Sequence, residues 1–281
     1  MAALSTQAKD PPELARRGKP NWRGWAILWG ITAILQVVLL ANNAALDTFL
    51  WRTTRWFTGD QDAYQWNDYK VEHAHDPEPR PFYMTVNPPW TRATTVTKAP
   101  PSQWATPDGY LRAKFYDRTE SFWQVLRDLG SPVATALIVV ILWIYDRRTW
   151  KASLVVVSAA AGTGALSWLI RALAGRYRPI VADGANTWHL FRGFWETKNL
   201  SWPSGHSTLA FATAAALSYL SPKGRGLFIT LAAGCAVTRV VMQAHFYSDV
   251  IFGAALGWTL GWLIAQGCER LLRSGTPVIA P

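Results

Sequence analysis

Cysteine is scarce in this chain: Cys235 and Cys268 are the only two in 281 residues. Both fall in apolar segments, one near the middle and one at an end. That difference in depth argues against a disulfide and leaves the redox compartment unread. Charge is scarce too, at 16% of residues against 50% hydrophobic. No internal repeat or low-complexity tract is present. The N-terminus also lacks the marks of a cleavable leader. Residues 1–23 are polar, with Arg16, Arg17, Lys19 and Arg23, and the apolar run that follows is too long for a leader and has no evident cleavage site. It reads as a first transmembrane helix.

The mean hydropathy of +0.03 averages unlike parts. Residues 47–120 are polar and rich in Trp and Pro, whereas most of the remainder alternates apolar stretches of near membrane-spanning length with short charged links. Six spans are expected: Trp25–Leu46, Leu129–Tyr145, Ala152–Leu173, His206–Leu220, Gly226–Gln243 and Val250–Gly267. Several fall short of the roughly 20 residues a bilayer asks for, so they are expected to extend into their flanks or to sit in a locally thin region, and the second can begin upstream, in Ser121–Asp128. The fold class is therefore all-α, a six-transmembrane helix bundle with an irregular extracytoplasmic insertion between spans one and two. By domain, 1–24 is a cytoplasmic tail, 25–46 the first transmembrane helix and 47–120 a cap. Residues 121–268 form a five-helix membrane core and 269–281 a cytoplasmic tail.

The net charge of +10 belongs to this layout. Basic residues flank apolar segments, which suits anionic headgroups and membrane topology better than nucleic acid. Arg147, Arg148 and Lys151, then Lys223 and Arg225, then Arg270 and Arg273 join the N-terminal cluster on one side of six spans. That side is expected to be cytoplasmic in a multi-pass protein of the cell (inner) membrane. Arg176, Arg178 and Arg192 lie opposite, in a longer loop where the rule relaxes and anion binding is another use.

The cap region holds Pro77, Pro79, Pro81, Pro88, Pro89, Pro100, Pro101 and Pro107 among Trp51, Trp56, Trp66, Trp90 and Trp104. The prolines oppose long helices and the aromatics oppose plain disorder, so an ordered cap on the headgroup layer is expected. Within it, Glu72, His73, His75 and Asp76 read as a solvated loop ahead of a metal site. Asp60, Asp62 and Asp68 lack the glycine and closing glutamate of a calcium loop. His189, in aromatic company, suits an interface contact. In the last span Gly253, Gly257 and Gly261 share one helical face, a stripe suited to close packing inside the bundle rather than to dimerisation.

Three segments carry the chemistry. Arg171 and Arg178 end span three, and Pro203-Ser204-Gly205-His206 opens span four. Thr238-Arg239, His245 and Asp249 bridge spans five and six. On the expected topology all three emerge on one, non-cytoplasmic side. Arg171 and Arg178 are seven apart, nearly one face if helical, so their guanidiniums can converge on clustered anionic oxygens. Ser204 and Gly205 precede a helix, whose amides and dipole favour an anion. His245 and Asp249 are four apart, so the carboxylate can fix the imidazole tautomer and leave the other nitrogen as nucleophile or base. Arg239 and His245, six apart, need a turn between them. A lone arginine or histidine here is as readily a snorkelling or backbone-satisfied residue. Such a set gathered at helix ends is not.

These residues resemble the type 2 phosphatidic acid phosphatase superfamily, whose signature is Lys-x6-Arg-Pro, Pro-Ser-Gly-His and Ser-Arg-x5-His-x3-Asp. The resemblance spans 171–249, with Arg171 in place of the usual Lys and Thr238 in place of Ser. It implies a membrane-bound phosphatase with no metal or other cofactor, acting on a lipid phosphate or diphosphate. His245 would be the nucleophile, forming a phosphohistidine, with Asp249 orienting it and His206 as general acid. Arg171, Arg178, Arg239, Ser204 and Gly205 would bind the phosphoryl oxygens. Expected substrates are a polyprenyl diphosphate, phosphatidic acid, phosphatidylglycerol phosphate or a phosphorylated glycolipid. Lipid-to-lipid phosphotransfer at the same site is the alternative. A vanadate-dependent haloperoxidase shares the anion site but belongs to soluble proteins.

Overall fold

A computed structural model describes residues 22–58, 82–84, 94–96, 107–145, 150–179, 185–194 and 199–274. Among the described residues seven α-helices follow in order: α1 Trp22–Thr58, α2 Pro107–Asp128, α3 Pro132–Tyr145, α4 Trp150–Ala174, α5 Gly205–Leu220, α6 Arg225–Val241 and α7 Tyr247–Ser274. The described strands are two three-residue pieces, β1 Phe82–Met84 and β2 Thr94–Val96, paired antiparallel with Phe82 opposite Val96. The run at 72–76 and the aspartates at 60, 62 and 68 lie outside the described residues.

The bundle is built around α5, which packs against α4, α6 and α7; α1 lies on α7, α2 on α6 and α3 on α4. Its centre is made of small residues. Val155, Val156 and Ala159 of α4 meet Ala216 and Tyr219 of α5 and Ala265 of α7. Ala210 and Ala214 of α5 meet Ala232 and Cys235 of α6. The large apolar side chains point the other way: Ile27, Ile31 and Ile34 of α1, Leu137, Ile141 and Ile144 of α3, and Leu227 and Leu231 of α6 are exposed. An apolar exterior around a core of small residues is the arrangement of helices packed in lipid, where close backbone approach replaces the hydrophobic drive.

Four described helices are long and apolar enough to cross a membrane, within Trp22–Thr54, Trp150–Ala174, Pro222–Val241 and Tyr247–Leu272. The pair Arg118–Asp128 and Pro132–Ile144, bent by 61°, makes a fifth if it counts as one broken span. This is the build of a multi-pass membrane protein. The expected fourth span is the departure: α5 has 16 residues, and its composition explains the shortfall. Enclosed by neighbours, it carries Ala, Ser and Thr rather than a continuous lipid-facing run.

Two further boundaries differ from expectation. The first helix runs on past Leu46 to Thr58, across a break where Ala41 is extended and Asn42, Asn43 and Ala44 adopt left-handed torsions. A 22-residue helix also begins at Pro107, at the edge of the proline-rich stretch. Proline is tolerated at a helix start, where its missing N–H has no intrahelical partner to lose.

The glycine stripe packs inside the bundle as expected. A Cβ on Gly253 would lie 2.8 Å from the Ser204 carbonyl oxygen, one on Gly257 would overlap the Thr208 carbonyl, and one on Gly261 would lie 2.6 Å from Ala212 Cα. The stripe therefore lets α7 press directly on the α5 backbone. Both cysteines are free. Cys235 Sγ faces the Arg127 carbonyl at 3.3 Å and Cys268 Sγ the Ser158 hydroxyl at 3.8 Å.

Candidate active site

The residues singled out in the sequence collect at one end of the bundle, where α4 and α6 finish and α5 and α7 begin. Arg171 lies in the last turn of α4 and donates from Nε to the Pro203 carbonyl at 3.1 Å. Its Nη2 lies directly over Gly205, where any Cβ would overlap it. The missing side chain at 205 is thus the space the guanidinium occupies.

Arg178 does not share a helical face with Arg171. The helix stops at Ala174, and Gly175 turns the chain with a φ of 63°, a conformation open to glycine but strained for residues with a Cβ. Arg176 and Tyr177 then form bridges with Trp188 and Leu200. Arg178 sits in this extended stretch, its N–H bonded to the Asn199 carbonyl at 2.9 Å and its Nε to the Leu200 carbonyl at 3.2 Å. The two arginines reach one region through a turn instead of along one helix. His189, on the facing stretch, is exposed and meets Tyr177 edge-on at 5.1 Å between ring centroids.

Ser204 is the N-cap residue of α5, but its hydroxyl makes no capping bond and accepts from Ser207 Oγ at 3.1 Å. Its N–H is already spent, donating to the Asp249 carbonyl at 3.0 Å. Any anion at this helix start would therefore use the Ser204 hydroxyl and the amides beyond it, rather than the Ser204 amide. That bond also ties the start of α5 to the start of α7.

The turn expected between Arg239 and His245 is present. α6 ends at Val241, Gln243 takes a φ of 57°, and the Arg239 carbonyl accepts from the N–H groups of both Ala244 and His245. His245 precedes α7, and Asp249 lies in that helix's first turn. Both are buried. Asp249 Oδ2 is 3.7 Å from His245 Nδ1, too far for a direct hydrogen bond, and Ser201 fills the interval. Its hydroxyl lies 3.1 Å from His245 Nδ1 and donates a short bond to Asp249 Oδ2. Asp249 Oδ2 also accepts from the Phe246 N–H at 2.8 Å. With Nδ1 engaged by Ser201, Nε2 is the nitrogen left for chemistry.

Burial holds the His245 imidazolium well below its ordinary range, and the positive charges of Arg178, Arg239 and Arg171 add to the effect. His245 is therefore neutral among three guanidiniums. Arg178 feels the same crowding: burial first, then Arg239 and Arg171, pull it down to about 9. His206, in the first turn of α5, lies within electrostatic range of Arg239 and His245. A cluster of guanidiniums around a neutral imidazole is a site made for a multiply charged anion.

Three residues of this network, Ser201, Ser248 and Asp47, are not singled out in the sequence, and a fourth, Arg176, is spent on protein partners rather than on the anion its loop position suggested. Arg176 is fully buried, with Nη1 on Asp249 Oδ1 at 2.5 Å and on Ser248 Oγ at 2.6 Å, and Nη2 on Asp47 Oδ2 at 3.1 Å. Its proximity to Arg178 made it look like one more loop arginine. The partner Asp47 comes from a distant helix, and no spacing reveals that.

The fold is thus a helical membrane bundle with a candidate anion site at one end. Residues 149–272 match the model of the PAP2 superfamily. Among curated proteins, it is 48% identical over 62 residues to a lipid A 1-phosphatase of Rhizobium etli, 22% of this chain and 25% of that protein. It is 34% identical over 121 residues to a decaprenylphosphoryl-5-phosphoribose phosphatase of Mycobacterium tuberculosis, 42% of this chain and 60% of that protein. The chain thus spans about a quarter of the length of the first of these relatives and under two thirds of the second. A crystal structure of a transmembrane PAP2-type phosphatidylglycerolphosphate phosphatase from Bacillus subtilis matches with a TM-score of 0.46 and 14% identity, over 90% of this chain and 98% of that one.

Proposed function

We propose that the protein hydrolyses a lipid phosphate or diphosphate through a phosphohistidine on His245. The observation that carries this reading is the buried His245 imidazole, held at Nδ1 by Ser201, with the charges of Arg178, Arg239 and Arg171 acting on it. The two similar proteins support the substrate class, since one is a lipid A 1-phosphatase and the other a decaprenylphosphoryl-5-phosphoribose phosphatase. A polyprenyl diphosphate, phosphatidic acid, phosphatidylglycerol phosphate and a phosphorylated glycolipid are the candidates.

In this mechanism the Nε2 lone pair of His245 attacks phosphorus, and the bond from phosphorus to the lipid oxygen breaks. His206 gives the departing oxygen its proton. Water then attacks the phosphohistidine, the P–N bond breaks, and His206 takes the proton from water. Ser201 and Asp249 keep His245 in one tautomer and stabilise the charge that develops on the ring. Arg171, Arg178 and Arg239, with the Ser204 hydroxyl and the amides at the start of α5, hold the phosphoryl oxygens. Gly205 gives Arg171 its room. Because the transition state is loose, this positioning and charge stabilisation supply most of the catalysis. The active site is assigned to the extracytoplasmic face of the cell membrane by the basic links expected on the opposite side.

The test is phosphate release from a panel of these lipids in EDTA. Wild-type protein should turn over, and His245→Ala should lose at least about 10³-fold, as nucleophile removal does elsewhere. An H245A protein releasing phosphate at the wild-type rate would overturn the reading. Thin-layer analysis with paired lipids separates hydrolysis from transfer: phosphate appears in solution for the first and on the second lipid for the other.

A further inference from the structure

Asp47 is a fully buried carboxylate that the mechanism above does not use. It lies on α1, three residues beyond the last left-handed residue of the break, and outside the segment 149–272. Its Oδ2 accepts from Arg176 Nη2 at 3.1 Å and from the Ser248 hydroxyl, and its Oδ1 accepts from the Ser248 N–H at 3.2 Å. Arg176 in turn bonds Asp249 Oδ1 and the Ser248 hydroxyl through Nη1, and Asn186 Oδ1 through Nε at 3.0 Å. Phe246 and Trp188 stand 4.2 Å and 5.1 Å from the guanidinium. Every nitrogen of Arg176 is thus engaged by protein. It is no part of a phosphate cradle, and its charge is divided between two carboxylates.

We propose that Asp47 is a positioning residue for phosphoryl transfer: by sharing Arg176 with Asp249, it sets the carboxylate that holds His245 through Ser201. This rests on the His245 reading above. The physical content lies in the division of charge. With Asp47 ionised, Arg176 satisfies two acceptors, and Asp249 keeps enough negative charge to accept strongly from Ser201 and Phe246. With Asp47 neutral, the whole guanidinium charge falls on Asp249, which becomes a weaker acceptor on its other oxygen. The Ser201 bridge loosens and His245 is less well held. Ser248, adjacent to Asp249 and bonded to Asp47 at both its N–H and its hydroxyl, carries any displacement of Asp47 to the same turn. The half of α1 beyond its break is on this view part of the catalytic apparatus.

Asp47→Asn keeps the shape and an acceptor for the Ser248 N–H but removes the charge. In full-length protein in detergent, with EDTA and a lipid phosphate from the panel, kcat should fall roughly 10- to 100-fold, the size of one charge-assisted hydrogen bond. Inhibition by orthovanadate should stay within about threefold of wild type, because no cradle residue has changed. Rapid-quench trapping should show phosphohistidine forming more slowly, and Asp47→Glu, which restores the charge, should recover part of the loss. A wild-type kcat in D47N overturns the proposal. So does a parallel loss of kcat, vanadate affinity and thermal stability, since that pattern marks Asp47 as an anchor for α1 alone. If D47N does not fold, Ser248→Ala is the second variant: it removes the hydroxyl that donates to Asp47 and accepts from Arg176 beside their direct bond, so kcat should fall in the same direction by a smaller factor with vanadate inhibition unchanged, and a wild-type kcat overturns the proposal. H245A separates the two levels. Inactive H245A beside fully active D47N sinks only the Asp47 role, whereas active H245A sinks the His245 reading and this one together.

Discussion

His245 is buried and neutral, so its folded state refuses a proton that the unfolded chain accepts below the ordinary value of 6.5. As pH falls through that value the unfolded state binds more protons, and folding stability is lost at up to about 1.4 kcal/mol per pH unit from this one group. Thermal unfolding in detergent between pH 7 and 5 should therefore fall more steeply for wild type than for His245→Gln; equal slopes would show that the imidazole is not held neutral. A second residue-scale expectation concerns Gly205. A methyl group there displaces the Arg171 guanidinium, so Gly205→Ala should lower kcat/KM by about 10²-fold, the loss of one oxyanion donor, while leaving the thermal midpoint near wild type. The sequence pointed to Arg171, Arg178, Ser204, Gly205, His206, Arg239, His245 and Asp249, because ionisable and phosphate-friendly residues at the ends of apolar runs stand out. It did not point to Ser201, which is an ordinary loop serine until the fold places it between His245 and Asp249. Ser201→Ala should cost roughly 10- to 100-fold in kcat, in line with a bond to an ionised group, and unchanged turnover would remove it from the site.

The helices show what periodicity reveals and what it hides. Glycines four apart in α7 read as one close-packed face, and that face meets the α5 backbone at Ser204, Thr208 and Ala212. Gly257→Ala should thus destabilise by about 1–3 kcal/mol, the usual toll of overpacking, whereas Gly267→Ala, with open space around it, should be silent in the same thermal assay. The length of α5 was less legible, because a helix enclosed by protein needs no 20-residue apolar run, and its small residues blur into its flanks. The continuation of α1 was hidden as well. Two asparagines and an alanine in left-handed torsions break the helix near Leu46 without ending it, and a polar, aromatic sequence follows. Arg171 and Arg178 converge for a different reason than seven-residue helical spacing, since Gly175 turns the chain between them.

Across the whole molecule, α5 runs from the candidate site at Gly205 to the turn at Pro222–Gly224, about 24 Å away at 1.5 Å per residue. Lys223, exposed at that turn, should face the side opposite the active site. In a background lacking Cys235 and Cys268, Lys223→Cys should react with a membrane-impermeant maleimide only from the cytoplasmic side of oriented vesicles. Labelling from the outer side alone would invert the topology.

Asp47 and Arg176 are separated by 129 positions in the chain. During synthesis at roughly 5–20 residues per second, the carboxylate exists on the order of ten seconds before its guanidinium leaves the ribosome. α1 is therefore made with an acidic group whose neutralising partner does not yet exist. The half of α1 beyond the break at Asn42 and Asn43 meets Arg176 only once α4 and the loop behind it have been made. The Asp47–Arg176 contact therefore joins a helix made early to a turn made 129 residues later.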